Sequence, residues 1–298
     1  MMIGINKEDG SHISNSLFMS EGRRMALKHH FPLVGPISLE FSDEDVAPLN
    51  MSIKAYDRYI GNLDVDAPDA LNLTKMYTDR HYGVCSDLTA EYHSINNQKY
   101  KRDVYFYVFE HRGERSTGDA FGLNIGNDWV SHGDELYYLF PFNKTKEHFR
   151  SEEDAKMKKL FIRLWHAFAE HGNPTPGEAF DFTWSPYTAE NRTHLRLNLE
   201  PSMEEDTMSE QREFWTTLPT QQNIYLNKEY FVKKLNITKE DKGEKSVKED
   251  KDDLKEEEEK KKEEGRKEEE ESATRREKKE GEEKADKDET EDLKKEEL

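Results

Sequence analysis

The sequence predicts an α/β body that contains strands and helices of a mostly parallel sheet, followed by a disordered charged tail. Two apolar runs, over residues 1–5 and 103–111, predict strands that are buried on both faces, as strands of parallel sheets usually are. Apolar residues at helical spacing over 151–171 predict a long amphipathic helix. We expect the body to span residues 1–238 and the tail residues 239–298.

The first predicted strand opens the sequence, and the polar turn Asn-Lys-Glu-Asp-Gly follows it at residues 6–10. In the second predicted strand, both faces carry apolar or aromatic residues, which is typical of the interior of a sheet. Sheets of doubly wound domains usually have about five or more strands, and an isolated interior pair would expose an apolar edge. We therefore expect the body to be the later part of a larger α/β fold.

Two helices are predicted with defined ends. A moderately helical stretch over residues 17–30 is expected to stop before Pro32, because proline disrupts the interior of a helix. The longer helix, over 151–171, has Ser151 as its predicted N-cap and Asp154 in the capping-box position three residues later. A glycine and a proline that follow shortly after it predict its end.

The charge distribution excludes several classes of function. The chain has a formal charge of −19, and the tail alone has 19 Lys or Arg against 28 Asp or Glu, without an aromatic residue. Such a segment cannot bury enough apolar surface to offset its chain entropy, so we expect disorder or an isolated solvated helix. An acidic body without a basic stripe excludes nucleic acid and anionic membranes as expected partners, and no apolar run of about 18 residues predicts a membrane span.

Two features disagree about the cellular compartment. The single cysteine, Cys85, excludes an intrachain disulfide and by itself suggests a reducing compartment. Glycosylation sequons and a C-terminal Lys-Glu-Glu-Leu, similar to the Lys-Asp-Glu-Leu signal, instead predict the secretory pathway, in the ER lumen or secreted, with an ER retrieval receptor as partner. A Lys/Glu-rich tail can also end this way by composition, and the first residues lack a signal-peptide pattern. The sequon and retrieval residues are Asn50, Asn72, Asn143, Asn191, Asn236, Lys295, Glu296, Glu297 and Leu298.

One histidine stands where α/β folds display functional groups. His132 follows the second predicted strand, in a loop whose turn formers are Gly126, Asn127, Asp128 and Gly133. A single histidine after a strand is more often structural than catalytic, and spacing alone gives it no partner. The residues by themselves therefore leave both interpretations open. The sequence has no His-Glu-x-x-His, Cys-x-x-Cys or phosphate-loop motif, so we expect no metal site.

The segment around this histidine resembles a block of a known family. Residues 129–140, Trp-Val-Ser-His-Gly-Asp-Glu-Leu-Tyr-Tyr-Leu-Phe, are similar to the histidine block of type-B carboxylesterases, the cholinesterase-like α/β-hydrolases, and most of all to arthropod carboxylesterases. The resemblance follows the family's order over residues 1–225 and implies the C-terminal half of an α/β-hydrolase fold. The other similar blocks are residues 4–10, 104–109, 164–169, 172–176, 184–187 and 214–215.

The resemblance implies roles for individual residues. His132 would be the general base that takes the proton of a catalytic serine and later delivers it to the leaving alcohol. Asp9, in the acid position before Gly10, would orient the imidazole; the family usually has glutamate there, so the shorter aspartate needs a closer loop or a longer contact. Glu8 is the alternative acid, and Glu135 resembles a buried glutamate that supports the histidine, with a loop-to-helix capping acid as the alternative. The implied substrate is a small-molecule ester, without a metal or organic cofactor.

The nucleophile of such an enzyme is not in the sequence. No Gly-x-Ser-x-Gly and no His-Gly-Gly-Gly oxyanion element occurs in the 298 residues. We therefore expect a fragment of a serine carboxylesterase, an enzyme that hydrolyses carboxylic esters through an acyl-serine, and expect it to be inactive as given. The alternative is a non-catalytic, esterase-like adhesion or interaction protein. A third hypothesis is low-affinity Ca²⁺ buffering by the tail, although its intermixed lysines weaken the local field.

The resemblance also bears on the single cysteine. The family has a cysteine at the position of Cys85 that pairs with one shortly before the Phe-Trp of its last helix. This sequence has Arg212 at that second position. The resemblance therefore implies that Cys85 is unpaired, which explains how a protein of the secretory pathway can carry a single cysteine.

Overall fold

The structure is a computed structural model that describes residues 1–61, 65, 67–97, 100, 102–140 and 149–234. Residues 1–228 form one compact unit. Of the second unit, residues 229–298, the described part belongs to one helix. The predicted boundary between body and tail, after residue 238, lies outside the described residues, and so does the whole predicted tail.

The described strands form one four-stranded sheet. The strands are β1 (Met2–Asn6), β2 (Tyr105–Phe109), β3 (Thr193–Leu197) and β4 (Ser202–Glu205), and they lie in this order across the sheet. β1 pairs with β2 and β2 with β3 in parallel, whereas β3 and β4 are antiparallel. The α/β fold with a mostly parallel sheet, expected from the sequence, is therefore confirmed.

The two strands predicted from apolar runs are β1 and β2, but only β2 is an interior strand. β2 pairs on both sides, and Tyr105, Phe106 and Phe109 are almost fully buried. β1 lies at the edge of the described sheet, where its first three residues stay half-buried, so the expectation of burial on both faces is wrong for that part. The sequence did not predict β3 and β4, because polar residues such as His194 and Arg196 obscure the alternation of a short strand.

Helices occupy much of the remaining described chain. Most are short, and the sequence predicted only the longest of them with its correct extent. Besides a π turn (Asp79–Gly83) and 3-10 turns (Ala67–Asp69 and Thr117–Phe121), the helices are α1 (Ser11–Phe18), α2 (Glu21–His29), α3 (Phe31–Ser38), α4 (Pro48–Tyr59), α5 (Ala70–Thr78), α6 (Val84–Asn97), α7 (Leu136–Leu139), α8 (Glu152–His171), α9 (Ser209–Thr216), α10 (Gln221–Leu226) and α11 (Lys228–Lys234).

The helix predicted over residues 17–30 is wrong in its extent, because that stretch is divided between α1 and α2. The division falls at Met19 and Ser20, and Ser20 is the N-cap of α2, with its hydroxyl accepting a hydrogen bond from Arg23 N. Pro32 follows the end of α2 at His29, so the predicted stop before this proline is confirmed. It occupies the first turn of α3, where a missing N–H costs little because that group has no partner within a helix.

The predicted long helix is confirmed as α8. Ser151 is its N-cap, with Oγ accepting a hydrogen bond from Asp154 N at 3.0 Å, and Gly172 ends it in the left-handed conformation at φ 70°. The predicted capping box is only half formed. The Asp154 carboxylate accepts hydrogen bonds from Glu114 N and from the Tyr138 hydroxyl, and so it supports a neighbouring loop instead of the start of its own helix.

A buried apolar cluster holds the elements that carry the candidate site. It packs β2 and β3 against α8 through residues such as Phe109, Leu195 and Phe161. Val130 and Tyr138, on either side of the candidate histidine, belong to the same cluster. The loop that carries this histidine is therefore anchored in the core at both ends, which limits its movement.

Candidate functional site

The candidate site lies at the carboxyl ends of β1 and β2, which a parallel pair places at the same edge of a sheet. Two hydrogen bonds tie the turn after β1 to the loop after β2. Glu8 N donates to the Val130 carbonyl at 3.1 Å, and Val130 N donates to a Glu8 carboxylate oxygen at 2.9 Å. This double contact brings Asp9 and His132, which follow closely in each segment, to the same place.

The two residues predicted as acid and base are in contact. His132 Nδ1 lies 3.0 Å from Asp9 Oδ1, and Asp9 Oδ2 accepts a hydrogen bond from Asn6 N at 2.8 Å. The Asp9 side chain is buried, whereas 52% of the His132 side chain is exposed. The contact has an ordinary hydrogen-bond length, so the short aspartate side chain does not separate the pair. The carboxylate of Glu8, the alternative acid, binds the Val130 backbone instead.

The surroundings of His132 raise its pKa above the ordinary value of 6.5. The hydrogen bond to Asp9 is the main cause; burial opposes it, and the charges of Asp9, Glu135 and Asp134 add to it. With Nδ1–H donated to the carboxylate, the neutral ring keeps its lone pair on Nε2. No group within the described residues binds Nε2, so this nitrogen can accept a proton from a hydroxyl placed beside it. In the same part of the chain, no group of three His, Cys, Asp or Glu is arranged to hold a metal ion.

Glu135 is connected to this pair through Asn6, a residue that the sequence did not single out. Asn6 Nδ2 donates to Glu135 Oε2 at 2.5 Å and to the Ser131 carbonyl at 2.7 Å. Glu135 occupies the N-cap position of α7, but its side chain makes no capping hydrogen bond, so the structure does not support the capping alternative. Burial raises the pKa of Glu135. A buried asparagine at the end of an apolar strand was the only sequence signal for this link.

Asp134 shapes the loop that presents His132. Its carboxylate accepts hydrogen bonds from Ser131 N at 2.8 Å and from Thr117 N at 2.7 Å, and the side chain is buried. Gly133 lies between His132 and Asp134 and has a φ of 84°, a backbone conformation that glycine adopts without steric cost. These contacts fix the direction in which His132 leaves the loop. The sequence pattern did not reveal them, because the partner Thr117 comes from a distant segment.

Two further rings contact His132. The centroid of the His12 ring lies 5.2 Å from that of His132, and the Tyr82 centroid lies 4.8 Å from it, with interplanar angles of 36° and 32°. His12 is on α1, three residues after Asp9, and Tyr82 is in the π turn between α5 and α6. The sequence patterns did not indicate that either ring belongs to the candidate site. The proximity of His12 to Asp9 in the chain was the only available signal, and Tyr82 had none.

Cys85 and Arg212 are the two positions that the resemblance relates to a family disulfide. Cys85 is exposed and free. Arg212 Nη1 lies 2.7 Å from Asp87 Oδ2, and its Nη2 lies 2.7 and 2.8 Å from the two carboxylate oxygens of Asp206. The hydroxyl of Tyr187 also donates to Asp87, at 2.8 Å. An ion pair between the half-buried Arg212 and the buried Asp87 therefore joins α9 to α6.

The predicted glycosylation residues fall on several elements. Asn50 lies on α4, Asn72 on α5 and Asn191 in the turn before β3, and all three are exposed. Exposure is necessary for glycosylation but does not demonstrate it. The predicted residues that lie outside the described part of the chain are Asn143, Asn236, Lys295, Glu296, Glu297 and Leu298.

Known proteins provide a comparison for this arrangement. The model of the carboxylesterase family matches residues 1–215, and the chain belongs to this family. It is 29% identical to juvenile hormone esterase of Tribolium castaneum over 151 residues, which cover 47% of this chain and 24% of that protein. It is 28% identical to acetylcholinesterase 1 of Caenorhabditis elegans over 147 residues (47% and 22%) and 27% identical to carboxylesterase 1C of Rattus norvegicus over 228 residues (73% and 37%).

These matches confirm the resemblance to type-B carboxylesterases that the sequence blocks indicated. They also include an insect enzyme, esterase E4 of Myzus persicae, at 26% identity over 180 residues. The chain spans 24% of the length of the Tribolium juvenile hormone esterase and 37% of the rat carboxylesterase. No helix among the described residues is long and apolar enough to cross a membrane.

Proposed function

We propose that this chain carries the acid and the base of a serine carboxylesterase, which hydrolyses carboxylic esters through an acyl-serine intermediate. The observation that supports the proposal most is the 3.0 Å contact between His132 Nδ1 and Asp9 Oδ1, in an exposed ring whose Nε2 binds no group among the described residues. Serine–histidine–acid chemistry needs an oriented imidazole, a carboxylate behind it and a free nitrogen at the surface. Membership of the carboxylesterase family supports the same reaction class.

In the proposed reaction, His132 Nε2 takes the proton of a serine hydroxyl while the serine oxygen attacks the ester carbonyl carbon. The imidazolium then gives this proton to the departing alkoxide, and an acyl-serine remains. A water molecule gives one proton to the same nitrogen and attacks the carbonyl carbon of the acyl-serine. The bond to the serine oxygen then breaks, the imidazolium returns its proton to that oxygen, and the carboxylic acid leaves. Asp9 stabilises the imidazolium in both steps, in agreement with the raised pKa of His132.

The serine and the oxyanion donors would have to come from outside these 298 residues, because the sequence contains neither motif. Without the serine oxygen no acyl-enzyme can form. Without the donors the reaction also loses oxyanion stabilisation, and each donor is typically worth ~10²–10³ in rate. We therefore propose that the 298-residue chain by itself does not hydrolyse esters, and that its substrates as part of a complete enzyme are small carboxylic esters.

Labelling with a fluorophosphonate tests this proposal, because the probe reacts with an activated serine. The chain alone should remain unlabelled. A longer transcript product that contains Gly-x-Ser-x-Gly should be labelled, and His132→Gln should abolish the labelling. His166→Gln, which changes an exposed histidine on α8, is the matched control. Labelling of the chain alone, labelling that survives His132→Gln, or a transcript without such a motif would each contradict the proposal.

A second candidate is a non-catalytic interaction protein with an esterase-like fold. The absence of the nucleophile motif and the highly charged segment over residues 239–298 favour it. In that case the contact between Asp9 and His132 would have no role in binding, and His132→Gln would leave partner binding unchanged. The retained pair counts against this candidate, because a binding protein has no need of an oriented base.

We also propose that the protein passes through the secretory pathway. The exposure of Asn50, Asn72 and Asn191 supports glycosylation, and residues 295–298 would return the protein to the ER. Treatment with an endoglycosidase should increase the electrophoretic mobility of the expressed protein, and deletion of the last four residues should release it into the medium. A protein that shows no mobility change and stays in the cytosol would contradict this proposal.

A further inference from the structure

A chain of hydrogen bonds connects the two rings that contact His132. The Tyr82 hydroxyl lies 3.2 Å from His12 Nε2, and His12 Nδ1 lies 3.0 Å from the backbone carbonyl oxygen of Asp9. A carbonyl oxygen can only accept, so His12 Nδ1 carries a proton and donates it. In a neutral imidazole, Nε2 is then the acceptor, and the Tyr82 hydroxyl is its donor.

The state of Tyr82 agrees with this direction. Burial, together with the charges of Asp9 and Glu40, raises the pKa of Tyr82 to about 12. The phenol therefore keeps its proton at neutral pH and can donate it to His12. The hydrogen bonds run from the Tyr82 hydroxyl through the His12 imidazole to Asp9, the residue whose carboxylate contacts His132.

We propose that His12 and Tyr82 are positioning residues for His132: they hold its ring against Asp9. This inference rests on the proposed function for the role of His132 as a base. His12 fixes the Asp9 backbone through the carbonyl oxygen, and both rings fill the space next to His132. An exposed histidine side chain would otherwise be free to adopt rotamers that do not reach Asp9 Oδ1.

The charged groups that raise the pKa of His132 are carboxylates: Asp9 in the turn after β1, and Asp134 and Glu135 in its own loop. The hydrogen bond to Asp9 has the largest effect, so a His132 ring that leaves Asp9 should lose part of the raised pKa. His12 and Tyr82 therefore affect the pKa of His132 through the contact that they help to hold.

Nuclear magnetic resonance of the full chain, with ¹⁵N-labelled histidine, tests this proposal. In the unmodified protein, neutral His132 should be mostly the Nδ1–H tautomer. Tyr82→Phe keeps the ring and removes the hydrogen bond to His12, so the His132 ring should be held less firmly against Asp9, and both its share of the Nδ1–H tautomer and its pKa should fall. His12→Ala should lower the share of the Nδ1–H tautomer of His132. In the His12→Ala background, Tyr82→Phe should have no further effect on the His132 pKa, because the Tyr82 hydroxyl has already lost its partner His12 Nε2.

His166→Ala is the matched control, since this histidine is exposed on α8, and it should leave the pKa and the tautomer of His132 unchanged. If a urea transition shows that His12→Ala does not fold, His12→Phe replaces it, because that change keeps a ring and removes only the hydrogen bonds. The proposal is wrong if neither the tautomer share nor the pKa of His132 changes in the folded His12 and Tyr82 variants.

Asp9→Asn separates this result from the proposed function. A lowered His132 pKa in Asp9→Asn, together with unchanged values in the His12 and Tyr82 variants, would overturn the positioning role and leave the acid–base pair intact. An unchanged His132 pKa in Asp9→Asn would instead contradict the pairing of Asp9 with His132, and the proposed function with it.

Discussion

The described structure contains two aspartate–histidine pairs with similar distances and very different surroundings. His132 Nδ1 lies 3.0 Å from Asp9 Oδ1, and His111 Nε2 lies 2.8 Å from Asp154 Oδ1. The first histidine has 52% of its side chain exposed, whereas the second has 10% exposed and its aspartate only 1%. The distance between the two groups therefore does not distinguish a candidate catalytic pair from a structural one.

The partners of the two carboxylates explain the difference. Asp154 also accepts hydrogen bonds from the Tyr138 hydroxyl at 2.7 Å and from Glu114 N at 2.8 Å, so it connects α8, α7 and the segment after β2. Its His111 lies inside the protein, where no substrate can reach it without local opening. Asp9 has fewer partners, and the histidine that it contacts presents a free nitrogen within the described structure. The candidate site therefore differs from the second pair in the solvent exposure of its histidine, whereas both pairs have the same aspartate–histidine contact.

The largest expected difference between the two pairs is in stability. Asp154→Ala removes a buried carboxylate that three donors share, and it should lower the free energy of unfolding by about 3–5 kcal/mol. Asp9→Ala removes fewer contacts and should cost about 1–2 kcal/mol. Urea unfolding measures both, with Asp43→Ala at an exposed position as the control. Equal losses for the two variants would contradict the distinction between the pairs.

Chemical accessibility should differ next. Diethyl pyrocarbonate reacts with neutral imidazole nitrogens, so at pH 8 His132 should be modified at least about tenfold faster than His111, which needs local opening that costs ~1.4 kcal/mol or more. Peptide mapping by mass spectrometry measures the two rates, and His166 provides the rate of an exposed histidine. Similar rates for His111 and His132 would show that the second pair is not enclosed.

A smaller effect is expected from the hydroxyl of Tyr138. Tyr138→Phe keeps the ring in its stacked position and removes one hydrogen bond to Asp154, so the free energy of unfolding should fall by about 1 kcal/mol. Urea unfolding with an unchanged denaturant slope is the measurement. Tyr225→Phe, at an exposed position on α10, is the control and should change stability less. A larger loss for the control would mean that Asp154 does not organise this region.

The smallest expected effects are on pH dependence, and they have opposite signs. The pKa of His132 is raised above 6.5, so its stabilisation is present below pH 6.5 and is lost as the pH rises through the folded-state value. For Asp154, burial alone would raise the pKa, but hydrogen bonds from Glu114 N, Tyr138 and His111 hold it below 3.8. Its stabilisation is therefore present above pH 3.8 and is lost as the pH falls through the folded-state value.

Unfolding free energies measured across the pH range separate these two contributions. Asp9→Asn should flatten the curve around and above pH 6.5, and Asp154→Asn should flatten it below pH 3.8. His132→Gln should act like Asp9→Asn in the higher range. An Asp9→Asn variant that changed only the acidic range would mean that Asp9 does not hold the His132 proton.

Three elements of the fold could be predicted from local patterns. Continuous apolar runs identified β1 and β2, and helical spacing with Ser151 and Gly172 identified α8. The strands β3 and β4 were missed, since a short strand with polar residues has no periodic signal of its own. The extent of α1 and α2 was wrong because capping by Ser20 decided where the helices divide. A local sequence pattern indicates whether a segment is buried or exposed, but it does not indicate which other segments it contacts.

The sequence by itself determined the residue types and order at the candidate site: an acid at Asp9, a base at His132, and no nucleophile motif within 298 residues. Only the tertiary structure decided that these two side chains meet at 3.0 Å, that Glu8 binds the backbone instead, and that Asn6, His12 and Tyr82 surround the pair. The physical reason is the separation along the chain. A hydrogen bond across 123 residues exists only where the parallel pairing of β1 and β2 brings two loops together, and no local pattern encodes that contact.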